Sequence, residues 1–235
     1  IIAISNYLKD YSRKINKKAK IVVIPNGVDI DTFSREYSYG ELSELADKLG
    51  IKPGEKVITS ISRLVPKNGV DILLQAAGIL NYKLPTTNYK LLIIGDGEQK
   101  DELITLAEEL GVFRNVIFVG SINRAELPKY LKISDVFVRP SRSEGLGSAF
   151  LEAMAVGVPI IGTKIGGIPD FLKNKETGLF AEVNNPEDLA DKINSVLSNN
   201  DLAEKLTNNA RKLVAEKYNW DKIAAQFKEL YELNL

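Results

Sequence analysis

The sequence predicts an α/β fold, a doubly wound and mostly parallel Rossmann-like sheet with helices on both faces. Short apolar runs rich in valine and isoleucine alternate with stretches of helical periodicity along most of the 235 residues. Runs such as Leu91-Leu92-Ile93-Ile94 are apolar at every position, as expected for strands that helices cover on both sides. Taken in order, a helix is expected near 5–17 and a strand near 21–24. Strands near 56–61, 90–95, 115–119, 135–139, 158–162 and 178–183 then alternate, for the most part, with helices at about 69–83, 98–110, 123–133, 147–157 and 186–198. Helices at about 201–217 and 220–233 close the chain.

Residues 1–20 and 218–235 stand apart from this alternating core of 21–217. In the last segment Trp220, Ile223, Phe227, Leu230 and Tyr231 recur at helical spacing, which by default predicts core packing. The chain opens on Ile1-Ile2-Ala3-Ile4, strand-like and without methionine, so a piece of a longer polypeptide is expected.

Composition narrows the chemistry. The 31 Lys and Arg residues balance 31 Asp and Glu, which gives no electrostatic footprint for nucleic acid. Cysteine and histidine are both absent, so thiolate nucleophiles, disulfides and imidazole relays drop out, as do nearly all zinc and iron sites. No cofactor and no metal site is expected. No apolar run approaches the roughly 18 residues of a membrane span, and no signal peptide is visible. Lack of cysteine fits a reducing, cytoplasmic setting, with peripheral membrane association of a longer protein left open.

The densest motif is Ser143-Glu144-Gly145-Leu146-Gly147-Ser148-Ala149-Phe150-Leu151-Glu152, a glycine-loosened turn between an apolar strand and a helix. First-turn amides of such a helix point into the crevice beyond the strand and favour a phosphate. Glu144 and Glu152, eight positions apart, can accept hydroxyl hydrogen bonds from opposite ends of a ligand longer than one sugar. The competing structural reading is a capping box of Ser141 and Glu144.

Other strand ends add to this. After the strand at 56–61, Arg63 and Lys67 bring a planar fork and a point charge suited to a diphosphate, or else two solvated loop cations. Gly95-Asp96-Gly97 begins like a dinucleotide fingerprint but has Lys100 where a third glycine belongs, and no acidic residue for a ribose follows the next strand. A nicotinamide dehydrogenase is therefore disfavoured, and Ser121 and Ile122 become candidates to hold a base through their backbone. Asp29-Ile30-Asp31 is a D-x-D triplet whose simpler reading is a turn or helix cap. Gly166-Gly167-Ile168-Pro169 is either a loop exposing amides to a sugar or a plain turn.

Together these motifs, with Pro25-Asn26-Gly27-Val28-Asp29, Arg63-Leu64-Val65-Pro66 and Pro140-Ser141, resemble the retaining glycosyltransferases of family 4 over essentially the whole chain. The resemblance implies one half of a two-domain GT-B fold, the C-terminal, donor-binding half. It implies residues 1–20 as a remnant of a missing N-terminal domain and 218–235 as a helix packing back on that domain. It assigns Arg63 to the donor phosphates, Glu144 to the transferred sugar, Glu152 to the nucleotide ribose and the amides of Gly145, Leu146, Gly147 and Ser148 to the phosphate and sugar. The implied partners are a nucleotide-sugar donor and an acceptor sugar, lipid-linked sugar or small metabolite.

One position departs from the family pattern. Members commonly place a lysine five residues after the arginine, where this chain has Asn68, and Lys67 is the residue at hand to substitute. The resulting expectation is metal-independent transfer of a sugar from a nucleotide diphosphate donor to a hydroxyl, with retention of configuration. Alternatives are a non-catalytic nucleotide-binding module or another GT-B enzyme such as a phosphorylase or sugar-nucleotide epimerase. Arg139 and Arg142 are spare cations beside the motif.

Overall fold

The computed structural model describes residues 1–83 and 88–232. The chain begins with β1 (Ile2–Ala3), α1 (Asn6–Ile15), β2 (Val22–Val23), α2 (Ile30–Phe33) and α3 (Tyr39–Lys48). The alternating part runs β3 (Lys56–Ile61), α4 (Val70–Lys83), β4 (Tyr89–Ile94), α5 (Lys100–Glu109), β5 (Val116–Gly120) and α6 (Leu127–Lys132). It continues with β6 (Val136–Arg139), α7 (Ser148–Val156), β7 (Ile160–Thr163), β8 (Leu179–Ala181), α8 (Pro186–Leu197), α9 (Asn200–Lys217) and α10 (Trp220–Glu232).

Strands β3 to β8 form one sheet in the order β5-β4-β3-β6-β7-β8, and every neighbouring pair is parallel. Strand order runs outward one way from β3 to β5 and the other way from β6 to β8. The chain reverses direction across the β3–β6 pair, and the loops leaving these two strands diverge to opposite sides, so a crevice opens at their carboxyl ends. The expected strand at 21–24 lies elsewhere: β2 pairs with β1 in a separate two-stranded parallel sheet, Ile2 opposite Val22 and Ala3 opposite Val23. The first twenty residues are thereby joined to the segment that follows. Asn6, in the first turn of α1, also donates from its backbone N–H to Asp170 Oδ2 at 2.8 Å.

Alternation along the strands builds two cores. Val136 and Val138 of β6 belong to a cluster with Leu73, Leu80 (α4), Leu189 and Ile193 (α8), while Phe137 joins Phe150, Met154 (α7) and Val214 (α9) on the other face. Three rings stack behind the crevice, Phe137 edge-on to Phe150 at 5.2 Å and Phe150 tilted to Phe171 at 5.5 Å. They fix the seat of α7.

Two expectations are corrected, and one helix appears that none of them includes. No helix is expected at 39–48, yet α3 forms there: Leu42, Leu45 and Ala46 recur at helical spacing, Ala46 packs on Ile51, Val57 and Leu92, and a capping box starts the helix, Glu41 N–H donating to Ser38 Oγ and Ser38 N–H to Glu41 Oε2. The helix expected from 123 starts at Leu127, because Asn123 holds a turn through Ala125 N–H and Pro128, lacking a donor, is confined to the first helical turn. Finally, α10 is not a core helix. Ile223 is its one buried residue among those described, while Trp220 is 44% and Tyr231 64% exposed. Its expected last residue, Leu233, lies outside the described residues.

Phe150 has no accessible surface and contacts two other rings. Phe150→Ala is expected to cost about 3–5 kcal/mol, read as a lowered urea midpoint at unchanged slope. A loss below about 1 kcal/mol would show that the rings do not anchor α7.

Candidate functional site

The crevice at the strand-order reversal is a cleft of about 510 Å³. Its walls come from the ends of β3 (Ile61 to Arg63), β4 (Ile94 to Asp96), β5 (Ser121, Ile122) and β6 (Arg139), with Lys67, Asn68 and the 144–149 turn. Sequence-predicted Arg63, Lys67, Ser121, Ile122, Glu144, Gly145, Leu146, Gly147 and Ser148 all line it. Glu152 does not.

Backbone packing places these groups. Gly95 has φ +132°, and a Cβ there would stand 1.9 Å from the Ser62 carbonyl oxygen, so the loop after β4 lies directly on the one after β3. Leu64 N–H donates to Asp96 O at 2.9 Å and Gln99 N–H to Leu64 O at 3.0 Å, which clamp the backbone beside Arg63. The Gly95-Asp96-Gly97 motif is thus an arginine-positioning joint.

Gly166 does the same for the carboxylate turn. Its φ is +52°, and a Cβ would come within 1.8 Å of the Glu144 carbonyl oxygen. Gly167 N–H donates to that same oxygen at 3.1 Å. The amide of Gly167 is therefore spent inside the protein and, of the two readings of this loop, favours the plain turn at that position. The capping-box reading of Ser141 and Glu144 also fails: α7 starts from Gly147 without a side-chain cap, and Glu144 Oε1 accepts from Gly145 N–H at 3.0 Å. Asp29 follows the simpler reading, capping α2 through Thr32 N–H at 3.0 Å and Thr32 Oγ1 at 2.7 Å.

Electrostatically the site divides in two. Arg63 and Lys67 are exposed within the cleft. Glu144 and Arg139 are buried to 12% and 11% side-chain exposure, with Glu144 Oε2 and Arg139 Nη2 2.5 Å apart. Arg139 Nη2 also donates to Asn68 Oδ1 at 2.9 Å, while Asn68 Nδ2 donates to Arg63 O at 2.7 Å. Burial lowers the Arg139 pKa from its ordinary value and Glu144 opposes that shift. Arg142, by contrast, is fully engaged: it grips Asp71 with two bonds of 2.9 and 2.6 Å and also donates to Asn184 Oδ1 and Pro66 O.

Glu152 sits within α7 at 6% exposure, its Oε1 accepting from Arg124 Nη2 at 2.6 Å. Burial raises its carboxyl pKa, and the Arg124 guanidinium pulls it back in part. Arg124 is half exposed at the tip of the turn before α6 and lines a neighbouring cavity of about 640 Å³ with Asp29, Phe33 and Trp220. Sequence reasoning missed Arg124, because 28 residues separate it from its partner.

A doubly wound half-fold whose strand-order reversal gathers Arg63, Lys67 and Arg139 beside a glycine turn defines a ligand-binding domain with a cleft suited to phosphate groups. The profile of glycosyl transferases group 1 matches residues 43–213, and the chain belongs to that family of GT-B glycosyltransferases. It is 34% identical over 235 residues to an uncharacterized glycosyltransferase of Methanocaldococcus jannaschii, covering 99% of this chain and 60% of that protein. It is 31% identical over 231 residues to the GDP-mannose-dependent alpha-(1-6)-phosphatidylinositol monomannoside mannosyltransferase of Mycobacterium tuberculosis, covering 95% and 59%. The solved structure of Anabaena HepE in complex with UDP-glucose superposes with a TM-score of 0.86 at 25% identity, over 98% of this chain and 63% of that one. The chain thus spans about 60% of the length of these relatives.

The Arg124–Glu152 pair predicts a pH effect. A carboxyl whose folded pKa lies above its ordinary 4.5 favours the folded state most below that value, and the contribution is lost as pH rises through the raised pKa. Arg124→Ala removes the group that lowers it, so urea midpoints should fall more steeply than in the parent as pH rises above the ordinary carboxylate range. Arg124→Ala/Glu152→Gln should flatten the difference; equal slopes in all three would refute the coupling.

Proposed function

We propose that the cleft binds the nucleoside diphosphate portion of a sugar nucleotide and serves transfer of the sugar to a hydroxyl acceptor with retention of configuration. The observation that carries this is the meeting of Arg63, Lys67 and the Gly145–Ser148 turn in one cleft at the strand-order reversal. In this reading Arg63 and Lys67 bind the diphosphate and stabilise the charge that grows on it as the glycosidic bond breaks. First-turn amides of α7 assist from the other wall. Glu144 accepts hydroxyl hydrogen bonds from the sugar. Glu152 exchanges Arg124 for the ribose hydroxyls, and Ser121 and Ile122 hold the base through their backbone.

Rate enhancement then rests on placing donor and acceptor together and on a pre-set field for the leaving group. The donor phosphate itself takes the acceptor proton, so no side chain is assigned as nucleophile or base. Among the described residues no group of three or more Asp and Glu is arranged to hold a metal ion. Transfer independent of a divalent cation follows from the arginine and lysine doing that work.

The acceptor belongs with the remainder of a longer protein, as the share of the relatives' length suggests. The exposed aromatic face of α10 is assigned to that contact. This chain alone is therefore a donor-binding half with little or no turnover. A cytoplasmic reaction, with membrane-surface acceptors within reach, belongs to the same proposal. The mycobacterial relative's name specifies GDP-mannose and the Anabaena complex contains UDP-glucose, so both bases deserve first trial.

Calorimetric titration with UDP, GDP and ADP and their hexose conjugates tests the reading. Saturable binding of one series is expected, weakened about tenfold or more by Arg63→Ala and by Glu152→Ala. A folded chain that binds none of them would sink the proposal. In the full-length enzyme, loss of transfer with a chelator and its recovery with magnesium or manganese would remove the metal-independent part.

A further inference from the structure

Arg139 is the one cleft-lining arginine that the reading above leaves without a task. It ends β6, one of the two strands at the reversal, and the residue lines the cleft with its side chain 11% exposed. Its Nη2 is held from two sides, by Glu144 and by Asn68. The Asn68 amide is fixed in turn: Nδ2, the donor end, faces the Arg63 carbonyl, which leaves the oxygen for the guanidinium. Nε of Arg139, though buried, has no hydrogen-bond partner among the described residues. Buried polar atoms are nearly always satisfied, so an exception on the wall of a cleft calls for an explanation.

We propose that Arg139 is a further phosphate ligand of this site, contacting the terminal phosphate of the nucleoside diphosphate through its unsatisfied edge. The inference rests on the cleft being the donor site. Three features suit it to the role. Its charge persists despite burial, since a guanidinium does not give up its proton in proteins. The planar fork can serve Asn68 and Glu144 with one nitrogen while presenting others to phosphate oxygens. It also offsets the Glu144 carboxylate, which would otherwise place a negative charge on the wall of an anion-binding cleft. Arg142, three residues on, has no nitrogen without a partner, because Asp71, Pro66 and Asn184 engage Nε, Nη1 and Nη2.

The test compares UDP with UMP, and GDP with GMP, on the 235-residue chain, so that the increment from the terminal phosphate is read without any sugar. Parent, Arg139→Gln and Arg139→Gln/Glu144→Gln are titrated after cooperative unfolding has shown each to be folded. The double variant leaves neither charge of the pair without its partner, so it keeps the test available where the single one fails to fold. The expected result is a loss of about tenfold in diphosphate affinity in both variants, with monophosphate affinity changed less than about twofold. Retention of the parental increment in Arg139→Gln would overturn the proposal while leaving the donor site intact. Recovery of the increment in the double variant would overturn it too, reducing Arg139 to a neutraliser of Glu144. A parent that binds neither nucleotide series would instead remove the donor-site reading on which the inference stands.

Discussion

The parallel pairing of β3 with β6 governs this molecule. These strands lie side by side although most of the sheet's other strands are wound outward from them, and two sequence-distant groups hold their starts in register. Asp135 accepts from Val57 N–H and from Lys56 Nζ, both at 2.8 Å, and its own N–H donates to Val57 O at 2.8 Å. The ion pair is partly exposed and contributes little by itself, so the backbone bonds do most of the fixing. Once the starts are pinned, the carboxyl ends must deliver Arg63 from one strand and Arg139 and Glu144 from the other to a common crevice.

Precision at that crevice comes from backbone on backbone. The loops after β3 and β4 touch at Gly95, and those after β6 and β7 touch at Gly166, each contact too close for any side chain. Such joints transmit position better than flexible side chains do, because a carbonyl and an amide at 3 Å leave few conformations open. The cleft is in this sense pre-formed. The charged groups Arg63 and Lys67 are exposed on its wall, whereas Glu144 and Arg139 are buried and paired with each other.

Much of this was legible in the sequence because it is local. Apolar runs gave the strands of the sheet, and the turn 143–148 before an apolar helix gave the anion-facing end of α7. What stayed hidden depends on residues far apart in the chain. The Asn68–Arg139 bond spans 71 positions and the Arg124–Glu152 pair 28, and neither leaves a local pattern. Gly95 read as the start of an incomplete dinucleotide fingerprint and Gly166 as either a sugar-facing loop or a plain turn, yet the neighbours of both are carbonyl oxygens of the protein itself. The α3 helix is a different case. Its Ser38 and Glu41 formed a readable capping signature and Leu42, Leu45 and Ala46 recur at helical spacing, so this helix was legible and the sequence reading passed over it.

The chain contains a single tryptophan, and it stands at a useful place. Trp220 packs over Gly27 and lines the same cavity as Arg124, the residue that covers Glu152. Its indole is partly wetted, so emission wavelength and quenching by added iodide depend on what lies against that wall. The protein thus carries a built-in optical reporter for events beside Glu152, free of interference from other indoles.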